Sequence, residues 1–111
     1  MDLQQKTDYI QAKLKSLGER NVYFEPPADY RMLYPCSVFR RGTISTRNAD
    51  NNIYKMNDAY DITHISRTPD VEMVHRILVG DEEHPQPFKM IRHVRHFVSD
   101  GLHHDTFKLY L

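Results

Sequence analysis

The residues of this 111-residue chain best suited to chemistry are its seven histidines. His93 and His96 lie three apart, and His103-His104-Asp105 follows within the same C-terminal stretch. Imidazole beside carboxylate is the material of a metal site, and a small metal-dependent nuclease using these C-terminal histidines is one reading. Spacing argues against it. On a strand, positions 93 and 96 point to opposite faces, and adjacent residues such as 103 and 104 diverge. No helical His-x-x-x-His or Glu-x-x-His pair brings two ligands together. The expectation is partly exposed strand histidines that pair with aspartates or stack on aromatics.

Cys36 lies in an apolar strand, where a cysteine behaves as a small hydrophobe rather than a nucleophile. It is the chain's single cysteine, which leaves no internal disulfide and no cysteine-based zinc cluster. Four glycines form no phosphate-cradling motif. Asp81, Glu82 and Glu83 read as a solvated link. The sequence therefore gives no catalytic residue, no metal ligand set and no cofactor site, and the chain does not read as an enzyme.

The stretch 40–52 stands out differently. Arg40, Arg41 and Arg47 are opposed only by Asp50, so it carries a charge of +2 within a chain of 15 basic and 15 acidic residues. From Arg41 to Asn52 only Ile44 and Ala49 are apolar. Such a segment cannot bury enough surface to order itself, and it is expected to order against a polyanion or another chain. Overall neutrality argues against a wholesale polyanion binder and against an acidic disordered tail. No apolar run approaches the length of a membrane span, and the N-terminus reads as lacking the apolar segment of a signal peptide.

The elements that must position these residues are legible from periodicity. Leu3, Thr7, Ile10, Leu14 and Leu17 form the apolar stripe of a helix over 2–17, with Asp2 as cap and Gly18 as its end. Residues 21–25 read as a short strand ended by Pro26-Pro27, and a polar connection follows. A second strand covers 34–39, with Pro35 at its start. Residues 53–56 read as a short strand and 60–65 as a better one. Thr68-Pro69-Asp70 opens a second helix over 70–79, capped by Thr68 or by Asp70, with Val71, Val74 and Leu78, and Met73 and Ile77 beside them, on its apolar face and Gly80 as its stop. Residues 88–98 and 104–111 are paired strands about an Asp100-Gly101 hairpin. The fold class is α+β: an antiparallel sheet of four to six strands, with both helices packed on it, in a single domain over 1–111. Expected core residues are Leu3, Ile10, Leu14, Leu17, Val38, Ile62, Val74, Leu78, Val94, Phe107 and Leu109.

Five segments carry a family resemblance: Tyr34-Pro35-Cys36-Ser37-Val38-Phe39; Asn48-Ala49-Asp50-Asn51; Tyr60-Asp61-Ile62-Thr63; Thr68-Pro69-Asp70; and the closing run from Arg95-His96-Phe97 through Asp100-Gly101-Leu102-His103-His104-Asp105 to Phe107, Leu109 and Tyr110. Together they resemble small tail terminator, tail completion or tail-to-head joining proteins of tailed bacteriophages. The acidic, proline-broken link from Gly80 to Pro87 departs from that pattern by its length. The resemblance implies a structural virion protein, made in the host cytoplasm, that forms a homohexameric ring at the head-proximal end of the tail tube. It implies the tail tube protein and a head-closure or neck protein as partners, and passing contact with genomic DNA in the lumen. A head-closure or neck adaptor is the alternative within virion assembly. In a ring, Arg40, Arg41, Arg47 and Asp50 would face the lumen or a partner. Asp81, Glu82, Glu83, Tyr23, Tyr54 and Tyr110 would be candidates for contacts between subunits.

Overall fold

The computed structural model describes residues 2–42 and 58–111. The chain runs α1 (Leu3–Ser16), β1 (Val22–Phe24), β2 (Cys36–Arg41), β3 (Ala59–Ser66), α2 (Val71–Val79), β4 (Ile91–Ser99) and β5 (Leu102–Tyr110). The five strands form one sheet in the order β1-β2-β3-β5-β4. The architecture is α+β, with an N-terminal helix and a second short helix on the sheet. The β2-β3, β3-β5 and β4-β5 pairs are antiparallel as expected, whereas β1 runs parallel to β2. The reason is the connection 25–35, long enough to carry the chain back across the sheet instead of reversing it in a tight turn.

Local chemistry explains the element ends. Asp2 and Gln5 form a reciprocal capping box at the start of α1. Asp70, not Thr68, caps α2, and its carboxylate accepts from the Met73 N–H. At Gly80 (φ 77°) an added Cβ would collide with the His84 carbonyl, so only glycine ends α2 there. Asp100 and Gly101, both at positive φ, make the two-residue turn between β4 and β5.

Strand parity gives the sheet two different faces. Ile10, Leu14, Leu17, Met73 and Ile77 from the helices meet Phe39, Tyr60, Ile62, Phe107 and Leu109 on one face. On the other, Cys36, Val38 and Ile65 are covered by Tyr23, Met32 and Tyr34. The connection that reads as polar thus supplies the lid of a second, smaller core.

Seven expected core residues are buried: Ile10, Leu14, Leu17, Val38, Ile62, Phe107 and Leu109. Val74 and Leu78 are half-buried at the margin of the main core. Leu3 (44% exposed) and Val94 (51% exposed) are corrections. Leu3 is the first residue of α1, beyond the edge of the sheet's cover. Val94 is the extra residue of a bulge on the outer strand, where no layer lies over it. The expected strand 53–56 lies outside the described residues. Among the described residues no helix is long and apolar enough to cross a membrane.

Leu14 and Phe107 sit at opposite sides of the main core with essentially no exposure. Replacing either with alanine is expected to cost about 2–5 kcal/mol in urea unfolding, with an unchanged denaturant slope.

Candidate functional site

Two clusters of ionisable side chains lie on the helix-covered face, one buried and one open. The buried cluster centres on His64, which is 0% exposed. Its Nδ1 lies 2.7 Å from Glu19 Oε2 and its Nε2 lies 3.0 Å from Asp70 Oδ2. A carboxylate only accepts, so with both acids ionised each contact is a hydrogen bond only when its ring nitrogen carries a proton, which is the imidazolium form. Glu19 Oε2 also accepts from the Ser37 hydroxyl at 2.7 Å. Burial by itself favours the neutral ring. The hydrogen bonds and charges of Glu19, and then of Asp70, outweigh it and hold His64 above its ordinary value.

The second cluster lies at the hairpin. Asp105 Oδ1 accepts from His93 Nε2 and His96 Nδ1, each at 3.0 Å. His103 Nδ1 lies 3.5 Å from His96 Nε2. His104 turns to the opposite face and stacks on Phe97 at 4.6 Å between ring centroids. Expecting strand histidines to pair with aspartates or stack on aromatics therefore holds for His93, His96 and His104. The expectation that positions 93 and 96 diverge is overturned. A bulge between His93 and Arg95 inserts one residue and returns His96 to the face of His93. Even so, among the described residues no group of three or more His, Cys, Asp or Glu side chains is placed to hold a metal ion.

A groove of about 400 Å³ runs along this cluster, walled by Pro69, Val71, Val74 and Leu78 and floored by His93, His96 and Asp105. Cys36 is buried, and burial pushes its thiol up to about 12, so it stays protonated at neutral pH.

The residues expected to meet partners are dispersed. Arg40 and Arg41 belong to β2 rather than to the loop. Arg41 is engaged within the chain: its Nε lies 3.0 Å from Glu25 Oε1, and its N–H donates to the same oxygen. The Arg41 side chain holds the Glu25 carboxyl below the usual carboxylate range. Arg40 is exposed. Arg47, Asp50 and Tyr54 lie outside the described residues. Asp81 accepts from Arg76 Nε at 3.0 Å and closes its own turn through His84. Burial raises its carboxyl, but the hydrogen bonds from His84 prevail and leave it below its ordinary value. Glu82 and Glu83 are exposed. Tyr23 packs against Tyr30, and its hydroxyl accepts from the Leu33 N–H, so it pins the lid of the second core. Tyr110 is half-buried at the end of β5.

Sequence reasoning missed the Glu19–His64–Asp70 cluster. Parity carried a signal for His64, which shares a strand face with Tyr60 and Ile62 and so had to be buried with partners. Glu19, in the turn after α1, carried none.

No family model matches this chain, and no curated protein or solved structure matches it either.

His64 yields a pH-dependent prediction. Its folded value is raised above the ordinary 6.5, so its stabilisation is fully present below pH 6.5 and lost as pH rises through the folded value. His64→Asn leaves Glu19 and Asp70 facing each other without the cation. It is expected to cost about 3 kcal/mol at pH 6. The deficit relative to wild type should shrink above that pH, as read from denaturant midpoints over a pH series.

Proposed function

We propose that this chain is a structural subunit of a phage tail terminator ring, acting by assembly at the head-proximal end of the tail tube. The observation that carries the reading is the outer strand β4. It is nine residues long, and among the described residues it has a strand on one side only. A long outer strand is normally shortened or covered, since its unpaired N–H and C=O groups invite another chain. Here Val98 is 56% exposed on it, and seven of its nine residues face solvent. The opposite edge of the sheet is the three-residue β1. Two unlike edges suit a head-to-tail contact, which closes into a ring when its rotation divides the circle. The resemblance in Tyr34–Phe39, Thr68–Asp70 and the hairpin region supplies the hexamer, the tail tube partner and the site in the virion.

In a neck adaptor the same edge would serve. The two readings differ in which neighbour stabilises the ring, the tail tube protein or the portal-side protein.

Light scattering after size exclusion, with and without the tail tube protein, tests the reading. Six copies are expected in the presence of the tube. Val98→Glu is expected to keep the circular dichroism of the wild type and remain monomeric. A wild-type chain that stays monomeric at high concentration and with either neighbour would sink the proposal.

A further inference from the structure

The face of the sheet opposite the helices carries a charge pattern of which the ring reading uses only Arg40. Register places Arg40, Asp61, Lys108 and Arg92 side by side across β2, β3, β5 and β4. Directly paired residues of an antiparallel sheet share a face. At about 4.8 Å between strands, this row is about 14 Å long. In the next row Arg95 pairs with Thr106, and Thr106 with Thr63. The one carboxylate of the row is already taken, with Lys108 Nζ 3.1 Å from Asp61 Oδ1. Arg40, Arg92 and Arg95 are exposed and have no carboxylate partner among the described residues. Four cations against one carboxylate thus gather on one face of a chain whose formal net charge is zero. A shallow groove of about 340 Å³ lies among them, lined by Asp61, Thr63, Arg92, Val94, Thr106 and Lys108.

We propose that this open sheet face binds the phosphate backbone of duplex DNA without reading its sequence. A duplex presents one charge per about 1.7 Å of its axis, so a row of this length spans several phosphates. Guanidinium groups take phosphate oxygens two at a time, and the Thr63 hydroxyl adds a donor between the strands. Stacking on bases is not on offer. The Phe97 ring has Arg95 4.4 Å from its centroid and His104 stacked against it. An acidic protein surface is the less fitting partner, because the exposed row lacks the aromatic anchor of a protein hot spot. The inference rests on the face alone and not on ring formation.

Fluorescence anisotropy of a short labelled duplex of mixed sequence, titrated with the full chain, tests it. Binding is expected to weaken with salt at a log–log slope of about −2.7, as for three phosphate contacts. The double variant Arg92→Glu, Arg95→Glu should bind at least about tenfold more weakly with a shallower slope. Arg92→Lys, Arg95→Lys should retain most of the affinity, which separates loss of charge from loss of fold. Lys15→Glu, Arg20→Glu makes the same change in net charge outside this sheet face and should bind like the wild type. Equal losses in both reversal variants would overturn the proposal, as would wild-type binding by the Arg92, Arg95 reversal. Capture of an acidic peptide with no DNA binding at low salt would also overturn it. Light scattering on the same samples reports the ring separately, so a monomer that binds DNA upholds this inference while sinking the ring.

Discussion

The fold depends on keeping one buried imidazolium paired. An ion taken out of water costs several kcal/mol unless its partners are close and well oriented. His64 meets this requirement only if three segments converge on β3: the turn after α1, which brings Glu19; β2, whose Ser37 hydroxyl satisfies the same carboxylate; and the start of α2, which brings Asp70. Asp70 is bound twice, as helix cap through one oxygen and as counter-ion through the other. The start of α2 is therefore set by the sheet as much as by its own sequence. Removing Glu19 or Asp70 leaves the fully buried His64 short of a partner. The cluster thus fixes how both helices sit on the sheet more than it adds net stability.

That arrangement commits both helices to one face and frees the other. The connection 25–35 covers only the β2 side of the free face, over Cys36, Val38 and Ile65. The part formed by β3, β5 and β4 stays open, and the cations collect there. In a neutral chain so organised the buried charges are paired on the helix side, while Arg40, Arg92 and Arg95 on the sheet side have no carboxylate partner among the described residues. Net charge, read from composition, conceals this because it averages over both faces.

How much of this was legible follows from which residues carry local signals. The α1 stripe, the Asp2 cap, the Gly80 stop and the Asp100-Gly101 turn each rest on a backbone requirement that one or two residues reveal. All four are where the sequence puts them, save that Leu3 at the start of the stripe is exposed. The burial of Ile62, Phe107 and Leu109 follows from strand alternation. The parallel pairing of β1 was not legible, because a three-residue strand carries no mark of direction and its partner is set by a connection that looks polar. Met32 was hidden in that connection because one apolar residue without period reads as loop, and Tyr34, expected at the start of a strand, lies just before β2 and covers the second core instead. The buried Glu19 was illegible for a deeper reason. Its partner lies 45 positions away, and nothing near it in sequence requires a carboxylate.

The bulge on β4 was the most consequential miss, since a single extra residue decides what each face of the sheet can do. Side chains alternate along a strand, so a shift of one position exchanges the faces of everything beyond it. Without Val94 as the extra residue, Arg95 would share a face with His93, and His96 would join Arg92. The helix side would then hold a guanidinium against Asp105, and the open side would hold an imidazole among the cations. With the bulge, both histidines reach Asp105 and both arginines reach the open face. The bulge also interrupts the ladder on an outer strand, a feature that hinders indiscriminate edge pairing, and 95–99 beyond it are regular. Segregated charge and an interrupted outer edge thus have one physical origin, and neither can be read from a residue type alone.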